Sequence, residues 1–143
     1  MTKHLVYVLF LGCCVIASAK AEQGCPYVSA IKSVEDAYQV NDARGHWQSS
    51  KVKERGFIDR FVGAIFRADK DQDVEDGEVE CVYLASRGRR VTLRYVSSTP
   101  NVSMSLVHNF YWLSSVDPLG QTVYICQDSQ PDNCKVMLKK PMP

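Results

Sequence analysis

The sequence predicts a mainly β domain, or an α+β one: a single antiparallel sheet or sandwich of about seven short strands with one short N-terminal helix, held by disulfides. Three observations point there. Residues 78–96 alternate apolar and polar side chains on two arms around a glycine, the pattern of a hairpin. Turn-forming clusters recur between short apolar runs along the rest of the chain. Four cysteines remain once an export segment is set aside, an even number that suits disulfides outside the cytosol.

The export segment is the opening "MTKHLVYVLFLGCCVIASAKAEQGC". Lys3 and His4 precede an apolar run over residues 5–17. That run is shorter than the about 20 residues a bilayer core demands. Small residues, Ala19 and Ala21, stand at the −3 and −1 places of a cut before Glu22. Residues 1–21 therefore read as a signal peptide, and 22–143 as a single domain, secreted or periplasmic. A buried N-terminal helix is the bland alternative. A lipid anchor at Cys13 fits less well, because Val15 and Ile16 continue the apolar run. The membrane is then only the route of export.

Losing Lys3 and Lys20 from 17 basic residues leaves 15 against 16 acids, a net charge of −1. So even a balance argues against nucleic acid as a partner. Cys25, Cys81, Cys126 and Cys134 remain, which allow three connectivities. "QDSQPDN" between Cys126 and Cys134 is rich in turn formers. Cys126–Cys134 is thus the most local pair, leaving Cys25–Cys81. A zinc site would call for close C-x-x-C pairs, which are missing, and no cofactor is expected.

In chain order, residues 25–38 place Tyr27, Ile31 and Val34 at helical spacing behind Pro26 and predict the short helix. "NDARG" predicts a turn between strands in "AYQV" and "HWQSSKV". In residues 57–68, Ile58, Phe61, Val62, Ile65 and Phe66 would also line a helix, but Gly63 and the β-branched and aromatic content favour a strand. On the hairpin, Val79, Cys81, Tyr83 and Ala85 alternate with Glu78, Glu80, Val82 and Leu84, and the turn falls near Arg87-Gly88. "SLVHNFYWLSS" and "QTVYICQ" flank "VDPLG", a turn sequence, and "KVMLKK" adds a last strand.

Three places carry candidate chemistry. Asp69, Asp71, Asp73 and Glu80 take the first, third, fifth and twelfth places of a calcium loop, but the sixth holds Val74 where the turn needs glycine. An acidic solvated connection between strands is the favoured reading, and no metal is expected. Arg87, Arg89 and Arg90, with Arg94 on the following arm, form a candidate anion-binding patch; the plain alternative is a charged turn that protects a sheet edge. "HNFYW" puts His108, Phe110 and Trp112 on one face of a strand, a candidate binding surface or else an interior strand packed on both sides. No metal-binding histidine motif and no nucleophile elbow is present. Four oxidised cysteines leave no catalytic thiol.

Cys25-Pro26, Gly45-x-Trp47, Phe61-x-x-Ala64, Gly77-x-x-x-Cys81-x-Tyr83 and the closing Cys126…Cys134 together resemble a family of small secreted bacterial proteins known only as a domain of unknown function. The resemblance implies export from a bacterium and a disulfide-held, mostly β domain. It carries no activity or site over to this chain.

The function expected on these grounds is an exported, non-enzymatic interaction protein that binds an envelope component or another protein. The alternatives are a small envelope-polymer hydrolase working with a carboxylate pair, and a weak calcium binder through residues 69–80.

Overall fold

The computed structural model describes Gly12 and residues 22–42, 45–53, 56–70, 73–97, 102–107 and 110–139. The segment 1–21, apart from Gly12, and with it the expected export signal, lies outside them, as do Asp71 and His108. Among the described residues there are eleven strands and no α-helix. They are β1 (Glu22–Gln23), β2 (Lys32–Val34), β3 (Ala37–Asp42), β4 (Gly45–Ser49), β5 (Ile58–Ala68), β6 (Gly77–Ala85), β7 (Arg90–Val96), β8 (Ser103–Leu106), β9 (Trp112–Val116), β10 (Thr122–Cys126) and β11 (Val136–Lys139).

The class is therefore mainly β, with eleven strands among the described residues where about seven were expected, and without the N-terminal helix. In residues 25–38 only Val28–Ala30 makes a single 3-10 turn. β2 and β3 follow as a tight hairpin in which Lys32 pairs with Gln39. Glu35 adopts a left-handed conformation at its turn, φ 54°. The helical spacing was misleading because its outer members do not face a core: Tyr27 is 50% exposed and Val34 42%.

Every strand pairing is antiparallel. β6 is the hub. It pairs with β5 along one edge, and on the other with β7 over Glu80–Leu84 and with β8 at Gly77. From β5 the sheet runs outward through β10 to β9; from β7 through β4 and β3 to β2; from β8 through β11 to β1. The predicted hairpin over 78–96 is β6–β7, closed by a 3-10 turn at Ser86–Gly88.

Such a sheet buries an apolar face by curling on itself. The enclosed face carries Phe61, Ala64 and Phe66 of β5, Val79, Cys81, Tyr83 and Ala85 of β6, Val91 and Leu93 of β7, and Trp47 of β4. Two covalent ties and one hydrogen bond hold the curl. Cys25–Cys81 pins the segment after β1 to the centre of β6. Cys126–Cys134 joins the end of β10 to the run into β11. The Trp112 indole N–H of β9 donates to the Lys135 carbonyl, 3.0 Å away, in that same run. Aromatic edges fill the interior: Trp47 meets Tyr95 at 5.5 Å and 77°, and Phe61 meets Tyr83 at 5.4 Å and 64°. Gly45 lets the Tyr95 ring lie directly over the backbone; a Cβ there would push the ring aside.

Tyr83 is fully buried, and its hydroxyl donates to the Pro26 carbonyl at 2.6 Å. Burial pushes its phenol well above the ordinary tyrosine value. The folded protein therefore holds the neutral form at pH values where the unfolded chain, titrating near pH ~10, has already released the proton. Tyr83 thus contributes stability that is complete below that pH and is lost as pH rises above it. Tyr83→Phe should cost about 1–3 kcal/mol near neutrality, because the Pro26 carbonyl loses its donor. Urea titrations above pH ~10 should then show the variant falling less steeply than the wild type, by up to one proton, or about 1.4 kcal/mol per pH unit.

Candidate functional site

Strand alternation gives the sheet a second face, turned away from the core. Register places Leu113 of β9 beside Ile125 of β10, Ile125 beside Ile65 of β5, and Ile65 beside Glu80 of β6. Beyond it, Glu80 sits beside Arg94 of β7. The next rows bring in Val82, opposite Gly63, and Leu84, flanked by Arg60 and Arg90.

β5 pairs irregularly with β6 between Phe61 and Gly63, where Val62 is an extra residue. Such a bulge bends the strand and redirects side chains near it. Two hollows lie beside one another on this side of the sheet. One, about 380 Å³, lies among Phe110, Tyr111, Leu113 and Ile125. The other, about 420 Å³, lies among Val62, Ile65, Val82, Leu84, Ile125 and Arg90. Ile125 and Gln127 line both, so the two form one open groove across the outer face. The groove is aliphatic along its floor, with an exposed aromatic ring, Phe110, at one end and a guanidinium, Arg90, at the other.

Ion pairs border the groove. Arg94 donates to Glu80 at 2.7 Å, and Arg67 lies 3.7 Å from Glu80 and 3.4 Å from Asp117. Arg94 is 65% exposed and Arg67 46%, so water screens these pairs to about 0.2–1 kcal/mol each.

The sequence-derived candidates separate on this frame. Phe110 and Arg90 meet the same groove from its two ends. Trp112 does not: it is buried against the core while Phe110 is 81% exposed. The continuous strand expected through "HNFYW" is broken by a turn at Phe110–Tyr111, which sends the two rings to different sides. Arg87, at φ 64°, lies in the turn, and the main chain of Arg89 closes it by accepting the Ala85 amide at 2.7 Å.

Of the calcium-loop residues, Glu80 is on β6, held by Arg94 and Arg67. The Asp73 carboxylate accepts the Glu75 amide at 3.0 Å, and Glu75 in turn pairs with Lys139 at 3.1 Å. Among the described residues no three of His, Cys, Asp and Glu gather as a metal-holding group.

The aliphatic floor was missed by sequence reasoning. Its signal was present: Val82 and Leu84 are apolar on the side of β6 opposite Cys81 and Tyr83, where a solvated face would be polar.

The fold and groove define a disulfide-stapled, antiparallel β domain with an open apolar surface groove; a separate hollow of about 290 Å³ is lined by Asp69, Asp73 and Asp76 with Lys70 and Ser103. The chain belongs to the family described as "Protein of unknown function (DUF3757)", whose match spans residues 20–137. No curated protein and no solved structure matches it. The residues that carried the resemblance serve the scaffold: Cys25 and Cys81 are bridged, Pro26 accepts from Tyr83, and Trp47, Phe61 and Ala64 are buried.

Proposed function

We propose that the protein is an exported, non-enzymatic binding module whose partner is a protein or an envelope component, held in the outer groove. One observation carries the reading: aliphatic side chains from four neighbouring strands, Leu113, Ile125, Ile65 and Leu84, lie together on the face turned away from the core, Leu113 exposed and the other three half-buried. Contiguous apolar surface of this kind on a domain this small is a mark of an interaction site. The disulfides support the same reading, since they suit an extracellular or periplasmic address and keep the groove preformed. Phe110 would be the anchoring ring, and Arg90 would receive an acidic group of the partner. The carboxylates nearest the groove, Glu80 and Asp117, are engaged with arginines, so the groove itself lends the hydrolase alternative no support; that alternative would have to use the separate hollow among Asp69, Asp73 and Asp76.

A photo-crosslinking side chain at Leu113, in the processed protein exposed to envelope extract, should give discrete adducts, while the same probe at Val34 of β2 should give none. Ile125→Glu on the Leu113 probe should lower adduct yield about tenfold. No adducts, or the same adducts from Val34, would count against the proposal.

A further inference from the structure

Among the described residues the sheet ends in three strands with one neighbour each, β1, β2 and β9. Natural sheets protect such edges by shortness, charge or proline. β1 is two residues long and carries Glu22; β2 is three long and carries Lys32. β9 has no such protection. It is five residues, Trp112–Val116, with neither a charge nor a proline. Exposed apolar side chains stand on both of its faces: Leu113, 67% exposed, on one and Val116, 68%, on the other, with Phe110 at 81% and Leu119 at 85% in the turns on either side.

We propose that two copies of the chain pair through β9, antiparallel about a two-fold axis, so that two curled sheets become one. The occupant follows from charge. A two-fold contact sets a strand against itself, and a charged residue there meets its own kind, which is how Glu22 and Lys32 discourage self-pairing on the other edges. β9 offers only Trp, Leu, Ser, Ser and Val, so self-pairing meets no like-charge opposition. It would pair the backbone groups on the edge of β9 that have no strand neighbour among the described residues, and would set a second copy beside Leu113 on one face and Val116 on the other. The Leu113 ends of the two grooves then abut, giving one apolar face of double length. This goes beyond the binding proposal, which needs only one copy.

The test is the mass of the processed, oxidised protein by sedimentation velocity from low to high micromolar concentration. The wild type should approach twice the monomer mass and dissociate on dilution. Ser114→Lys, at an exposed position in mid-strand, should weaken the dimer about tenfold or more while leaving the melting transition in place. Ser33→Lys, the same charge change on exposed β2, should leave the dimer intact. A wild type that stays monomeric throughout, or a Ser114→Lys dimer as tight as the wild type, overturns the inference. Leu113 crosslinking to extract components, scored apart from self-adducts, keeps the two proposals apart: such adducts from a wild type that stays monomeric uphold the groove alone, and a wild-type dimer that Ser114→Lys weakens, with no such adducts from either protein, upholds the edge alone.

Discussion

Replacing Cys25 and Cys81 together by alanine is expected to lower unfolding free energy by about 3–5 kcal/mol, the largest loss from removing either bridge. The bridge spans 56 residues, and constraining a loop of that length in the unfolded chain is worth about 4.2 kcal/mol by the entropic estimate. Cys126 and Cys134 span 8, for about 2.5 kcal/mol. Position in the fold acts in the same direction. Cys81 is fully buried in the middle of β6, the strand from which the rest of the sheet grows. Its partner Cys25 precedes Pro26, whose carbonyl takes the Tyr83 hydroxyl. Without the bridge, that carbonyl and the two-residue β1 depend on weak contacts alone. Guanidinium titrations of the two double variants should rank them clearly, with Cys25→Ala/Cys81→Ala the less stable. Equal midpoints, or the reverse order, would show that the tie between the N-terminal segment and β6 is not what holds the curl.

The parts of this fold that could be read from sequence are those where one local rule decides the outcome. The β6–β7 hairpin alternates with period two on both arms, and a one-residue slip would expose Cys81, Tyr83 and Leu93 together, so its register was legible. The Cys126–Cys134 pair was legible because turn residues fill the short span between the cysteines. What failed depended on tertiary context. Tyr27, Ile31 and Val34 have helical spacing, yet the disulfide at Cys25 and the β2–β3 hairpin leave that segment only one turn of 3-10 helix. Phe110 and Trp112 have strand spacing, yet a turn rotates them apart. The groove itself is built by pairing β9 with β10, β10 with β5 and β5 with β6. Only that order brings Leu113, Ile125, Ile65 and Val82 side by side, and no stretch of sequence contains it.

Gly63→Ala should destabilise the fold by about 2–5 kcal/mol and disturb the groove with it. Gly63 sits at φ 156°, beside the bulge at Val62, in the strand between β6 and β10. A Cβ there would collide with the carbonyl oxygen of Cys126, a backbone atom fixed both by the β5–β10 ladder and by the Cys126–Cys134 bridge. No rotamer change relieves that contact, so β10 must move away from β5. Ile125 and Gln127 flank Cys126, and both line the groove next to Gly63. Any such movement therefore reaches the proposed binding surface directly. Gly120→Ala is the matched control. Gly120 has φ 80° in the β9–β10 turn, but a Cβ there meets nothing within 4 Å, so the substitution carries only the left-handed backbone penalty, about 1 kcal/mol. Thermal melts should separate the two by several degrees, and Leu113 crosslinking should fall in Gly63→Ala alone. If both variants melt together, the close approach of β5 to β10 is softer than this geometry implies, and the groove does not depend on it.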